Sequence, residues 1–118
     1  MATYVDGFIV PVPTANLSAY RKLARQAGRI FKEHGALSVI ECWGDDVKSG
    51  KFTSFPQSVK LKADETVVFS WITYTSRKHS DSVVAKVMQD PRMPSDPKNF
   101  PFDGKRMIFG GFKTIVEL

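Results

Sequence analysis

His34, Glu41, Trp71 and Arg106 are the side chains of this sequence whose types and settings could carry chemistry, with Arg92 and Tyr20 behind them. His34 ends the apolar stripe of a helical segment, just before Gly35. The carbonyl end of a helix carries partial negative charge and favours a protonated imidazole. His34 therefore reads either as a cation satisfying helix carbonyls or as a general acid or base at the rim of a helix–sheet cleft. Glu41 shares a strand face with Leu37, Val39 and Trp43. A carboxylate among apolar neighbours needs a partner, or its pKa rises. The expected partner is Arg106, or else Lys105, forming a structural ion pair or part of a site. Failing Glu41, Arg106 should find another buried carboxylate, because a guanidinium tolerates burial better than the ammonium of Lys105. Trp71 lies beside Ser70 and on the same face as Phe69, which suits core or a ligand wall. Arg92, in "DPRM", can pair with Asp90, with a second copy of the chain or with an anionic ligand. Tyr20 falls on the inner row of the first helix.

Other residues exclude more than they offer. The single cysteine, Cys42, permits no intrachain disulfide and no cysteine-pair metal site, and it reads as inert core. His34 and His79 lack helical spacing and have no thiolate cluster near them, so no metal is expected. Haem would have only His34 as an axial ligand, so no cofactor is expected either. Gly110-Gly111 reads as a β-bulge, because no helix follows to make a phosphate loop. The net charge of +5 comes from scattered cations. Arg21, Arg25, Arg29 and Lys32 make one helical row that reads as a solvated face, and no specific nucleic-acid binding is expected. "MATYVDGFIVPVP" reads as neither a signal peptide nor a membrane span, which makes a cytoplasmic, reducing setting the default.

The elements that must position these residues are legible in the 118-residue chain, which suits one domain over 1–118. A strand is predicted over 3–12, with Pro11 at its end or edge. Thr14 or Asn16 should cap a helix over about 16–34, where Leu17, Tyr20, Ala24, Ala27, Phe31 and His34 recur every three or four residues. Gly35 should end it. A second strand covers 36–46, and the insert 47–65 holds a short strand or a helical turn. "TVVFSWITY" (66–74) is a strand with apolar residues on both faces, and Ser76 caps a helix over 77–90 that stops at Asp90-Pro91. After a proline-rich connection, "FDGKRMIFGGF" (102–112) and "FKTIVEL" read as closing strand.

The order β-α-β, insert, β-α-β is the split βαβ, ferredoxin-like pattern of an α+β fold, with helices on one face of the sheet. Strands apolar on both faces imply that the bare face is also covered, and a second copy is the simplest cover. "YVDGFIVPVP", "EHGAL", "TSFP", "VVFSWITYTSR", "DPRM" and "FDGKRMIFGGF" resemble the uncharacterised bacterial DUF1428 (YbaA-like) family nearly end to end. That resemblance implies a dimeric α+β barrel and no particular reaction. The functional expectation is a homodimer that binds, with or without transforming, a small organic molecule in the helix–sheet cleft, using no tightly bound cofactor. A non-catalytic homodimeric interaction or stress-response module is the alternative. An open cleft lined by a histidine and a carboxylate would favour the first, and a packed interior the second.

Overall fold

The computed structural model describes residues 2–118. Its strands are β1 (Tyr4–Pro13), β2 (Ser38–Trp43), β3 (Glu65–Tyr74) and β4 (Ile108–Lys113), and its α-helices are α1 (Leu17–Glu33), α2 (Phe55–Ser58) and α3 (Arg77–Gln89). Short 3-10 turns cover Thr14–Asn16 and Pro97–Asn99. The strands form one antiparallel sheet in the order β2-β3-β1-β4, which a single chain leaves open at β2 and β4.

Period-2 alternation decides what each face of the sheet meets. Val68, Ser70, Ile72 and Tyr74 of β3 are all buried on the side of the helices. There Ile72 and Tyr74 share a core cluster with Ile30 of α1 and with Val83 and Val87 of α3. Val10, Val12, Tyr20 and Val68 make a second cluster, closed by Phe102 and Met107. The opposite face carries Ile40, Phe69, Ile108 and Phe112, which are 39%, 46%, 42% and 61% exposed. Neither α1 nor α3 covers those side chains; Phe55 of α2 reaches the edge of the patch, its ring 5.8 Å from that of Phe69.

Local signals act where they were expected. The Ser76 hydroxyl accepts from the His79 amide at 3.0 Å and caps α3. Gly35 takes a φ of 116° after α1, a conformation that a side chain disfavours. Pro11 follows the last β1–β4 pair, Ile9 with Ile108, so its missing N–H faces no neighbour there.

Four local expectations are corrected. Asn16 stands at the N-cap of α1, but neither its side chain nor that of Thr14 bonds the helix: the Thr14 hydroxyl bonds that of Thr66 at 2.7 Å, and Asn16 Nδ2 donates to the Pro101 carbonyl. β4 begins only at Ile108, because residues 104–106 form a turn, and of "FKTIVEL" only Phe112 and Lys113 belong to a strand. Gly110 and Gly111 are not a bulge; they pair in unbroken register with Gly7 and Asp6. The smallness of Gly111 serves a ring instead, since a Cβ there would collide with the Tyr4 hydroxyl. Cys42 is exposed on the uncovered face and is not core.

Candidate functional site

α1 does not lie flush on the sheet. Its inner row carries Ala24 and Ala27, too small to fill the space beneath them, while Gly28 lets the helix approach Val39 closely. A cavity of about 210 Å³ remains there. Phe8, Val39, Ile72 and Ser70 form its floor, and Met93, Phe100, Phe102 and Met107 from the connection before β4 close it. The walls are apolar apart from Tyr20, Glu41 and Ser70.

Those polar groups converge. Tyr20, only 7% exposed, donates its hydroxyl to Glu41 Oε1 at 2.7 Å. Ser70, opposite Glu41 in the β2–β3 ladder, is the second hydrogen-bonding neighbour. Burial of the carboxylate among apolar side chains raises the Glu41 pKa, and the bonds from Tyr20 and Ser70 offset only part of the rise. Burial first, then the Glu41 charge, pushes the Tyr20 phenol far up. Tyr20 is thus a fixed neutral donor, and Glu41 is a carboxyl group able to exchange a proton closer to neutrality than an exposed glutamate.

Glu41 also has an outward side. Its residue is exposed, and it lines a groove of about 800 Å³ between α1 and the free edge of β2. Arg21, Arg25, Arg29 and Lys32 line the same groove. The row of cations expected to be a plain solvated face is therefore one bank of a channel that passes Glu41.

The other sequence candidates lie elsewhere. His34 is not at the cavity rim. Its Nε2 meets Asp90 Oδ2 at 2.8 Å, where the C-terminal ends of α1 and α3 meet. Arg92 donates Nε to Asp90 Oδ1 at 3.1 Å and Nη2 to Asp90 Oδ2 at 2.8 Å and Glu33 Oε2 at 2.6 Å. Arg92 first, then His34, holds the Asp90 carboxyl well below its usual range. The cluster ties both helices to the start of the segment that closes the cavity. Trp71 sits on the uncovered face, its ring 5.4 Å from that of Phe69, so it cannot wall the cleft.

Arg106 does not reach Glu41, because β2 and β4 occupy opposite edges of the sheet. It pairs instead with Glu65, whose side chain is 4% exposed, and with Asp103. It also donates to the carbonyls of Val59 and Lys60. The choice of arginine over Lys105 for a buried carboxylate holds; the carboxylate is a different one. Arg106 thereby fastens the far end of the closing segment to the loop before β3.

Of the candidates, then, the structure brings Tyr20 and Glu41 together and separates them from His34, Trp71, Arg92 and Arg106. Ser70 went unnoticed, although a small polar residue on the inner face of an apolar strand is a signal that a polar partner sits nearby. Among the described residues no three His, Cys, Asp or Glu side chains gather in a geometry that could hold a metal ion. None of the described helices is long and apolar enough to cross a membrane.

Residues 3–104 match the profile of a family described as a protein of unknown function, DUF1428. The chain is 51% identical over 114 residues to the uncharacterised protein YbaA of Escherichia coli K12, covering 97% of each chain. YbaA of Shigella flexneri matches to the same extent. Among solved structures, a de novo designed protein, Foldit4, aligns with a TM-score of 0.44 at 14% identity, over 97% of this chain and 98% of its own.

Proposed function

The chain belongs to the DUF1428 family, and from that premise we propose that it binds a small, mainly apolar organic molecule in the cavity beneath α1. Glu41 is the proton-exchanging group and Tyr20 the hydrogen-bond donor beside it. The observation that carries this reading is the Tyr20–Glu41 pair at 2.7 Å in the wall of an otherwise apolar cavity. A fold maintained only for stability has little use for a carboxylate whose pKa is raised by its setting. A closed ligand with one polar group matches such a lining. The candidate histidine is absent from the cavity, so any proton transfer rests on Glu41 and not on His34.

The working unit in this proposal is a homodimer of ferredoxin-like subunits, two open sheets meeting face to face as a barrel. The exposed Phe69, Ile108 and Phe112 on the uncovered face support it. A non-catalytic interaction or stress-response module would share that dimer but would not need the cavity. The single free thiol fits a reducing, cytoplasmic setting.

The test is extraction and mass spectrometry of small molecules from the purified protein, alongside Ala27→Leu, which fills the cavity. Wild type is expected to carry or take up a compound that the folded variant excludes. Equal uptake by both proteins, or none by either with hexan-1-ol as an added probe, would overturn the reading in favour of the module.

A further inference from the structure

The cavity and the groove are two halves of one feature. Tyr20, Ala24, Gly28, Val39 and Glu41 line both. These residues form the seam between α1 and β2, and the seam is thin because, beyond Tyr20, α1 presents only a methyl group and a hydrogen there. Gly28 lies so close that an added Cβ would sit 3.3 Å from Val39 Cγ1. The hydrogen bond between Tyr20 and Glu41 spans the seam from helix to strand. Glu41 is an exposed residue that lines the groove as well as the cavity, so a molecule entering from the groove would have to part the Tyr20–Glu41 contact that closes the seam.

On the groove side, Arg21, Arg25 and Arg29 follow one another at successive turns of α1, all of them exposed. None of the three has a carboxylate partner among the described residues, whereas Arg92 and Arg106 each have two. Glu33, the nearest acid on the helix, is engaged by Arg92. The groove therefore joins an unneutralised row of guanidinium groups to the mouth of an apolar cavity.

We infer that the ligand is an organic anion with a short apolar body. Its carboxylate or similar head lies on Arg21, Arg25 and Arg29, and its body passes the α1–β2 seam into the cavity. This rests on the cavity reading above and adds the chemical class. Planar guanidinium groups bind carboxylates through paired, charge-assisted hydrogen bonds. The cavity of about 210 Å³ has room for roughly seven water-sized groups, at about 30 Å³ each, which sets the body at a short chain or one ring.

The experiment is an amide NMR titration of wild type and two variants with hexanoate, hexan-1-ol and hexylamine. Wild type should bind hexanoate about five- to tenfold more tightly than hexan-1-ol, as expected for charge-assisted contacts at an exposed row, and hexylamine most weakly. Arg21→Gln/Arg25→Gln/Arg29→Gln should abolish the preference for hexanoate and leave hexan-1-ol unchanged. Ala27→Leu should exclude all three. Equal affinity for hexanoate and hexan-1-ol in wild type, with both excluded by Ala27→Leu, overturns the anion but leaves the cavity reading intact. Hexanoate binding that survives Ala27→Leu overturns it too, by showing adsorption to the cations alone. Failure of all three probes on wild type removes both readings. The arginines are exposed, so the triple variant is expected to fold; its amide spectrum checks this directly.

Discussion

Arg106 holds Glu65 through two parallel hydrogen bonds, Nη1 to Oε1 at 2.8 Å and Nη2 to Oε2 at 2.5 Å. The pair fixes the turn before β4 to the start of β3, regions distant in sequence. Arg106→Met leaves Glu65 almost buried without its cation, at a cost of about 3 kcal/mol. Lys105→Met, at an exposed residue, should stay within about 0.5 kcal/mol of wild type. Urea unfolding at one protein concentration compares them, and equal small losses would show that the guanidinium holds nothing in place. The pair also acts on pH. Arg106 chiefly lowers the Glu65 pKa from its ordinary 4.5. The stability it contributes is therefore complete above pH 4.5 and is lost as pH falls through the lower folded value. Arg106→Met should flatten that acid limb.

Gly111 lies under the Tyr4 ring, and a methyl group there would collide with the ring and its hydroxyl. Tyr4 packs against the core cluster of Ile72, Tyr74 and Val83, so it cannot swing away freely. Gly111→Ala should cost about 1–3 kcal/mol, as overpacking does. Adding Tyr4→Ala should make the second change less than additive, because the clash is gone. Strict additivity in thermal unfolding would mean that the glycine answers to its backbone and not to the ring.

These two contacts mark where sequence reasoning stops. Short-range physics placed β1, α1, β3 and α3 to within a residue or two, since stripes, caps and stops act between near neighbours. Ser76 and Gly35 are examples. Strand alternation also shows that β3 has two apolar faces. It does not say which face the helices take, so alternation points to Trp71 as readily as to the opposite face on which Ser70 lies. Partner choice between distant residues depends on strand order. Arg106 next to Glu41 was reasonable until β2 and β4 proved to be opposite edges. The Tyr20–Glu41 contact was half visible: Tyr20 stood on the inner row of α1 and Glu41 on an apolar strand face, but only the crossing of α1 over β2 joins them. The cavity was foreshadowed by Ala24 and Ala27, small residues where an inner row usually carries large ones.

The arginine row should bind nucleic acid weakly. Three guanidinium groups on one helix give a log–log salt slope of about −3 at most on duplex DNA, at about −0.9 per phosphate. Fluorescence anisotropy with a random duplex should show binding at low salt that disappears by physiological salt. A sequence-selective complex that persists there would contradict this account of the charges.

The uncovered sheet face should seat a second copy. Phe55, Phe69 and Trp71 form a run of aromatic contacts on it, with ring centroids 5.8 Å and 5.4 Å apart. Sedimentation at micromolar concentration should report about twice the chain mass of 13.2 kDa. Phe69→Glu places a charge within the patch and should shift the equilibrium to folded monomer. A wild-type monomer, stable and soluble at that concentration, would leave the apolar face without an explanation and end the barrel proposal.

Glu41 should trade stability for function. Its pKa is raised in the folded chain, chiefly by burial, from an ordinary 4.5. Between the unfolded and folded values the native state binds more protons than the unfolded state, so stability falls as pH rises through that window. Glu41→Gln removes the charge and keeps the shape and an acceptor for Tyr20. It should be at least as stable as wild type at pH 7 and lack the decline above pH 4.5. Tyr20→Phe acts in the opposite sense. The Tyr20 hydrogen bond lowers the Glu41 pKa, so its loss should move the carboxyl titration to higher pH. Carbon-13 NMR of the Glu41 carboxyl group reads both effects without an assay of activity. A Glu41 that titrates at or below 4.5 in wild type, and does not move in Tyr20→Phe, would remove the proton-exchanging role, because a carboxylate with an ordinary pKa and no dependence on its only short hydrogen bond is simply a solvated side chain at the edge of a sheet.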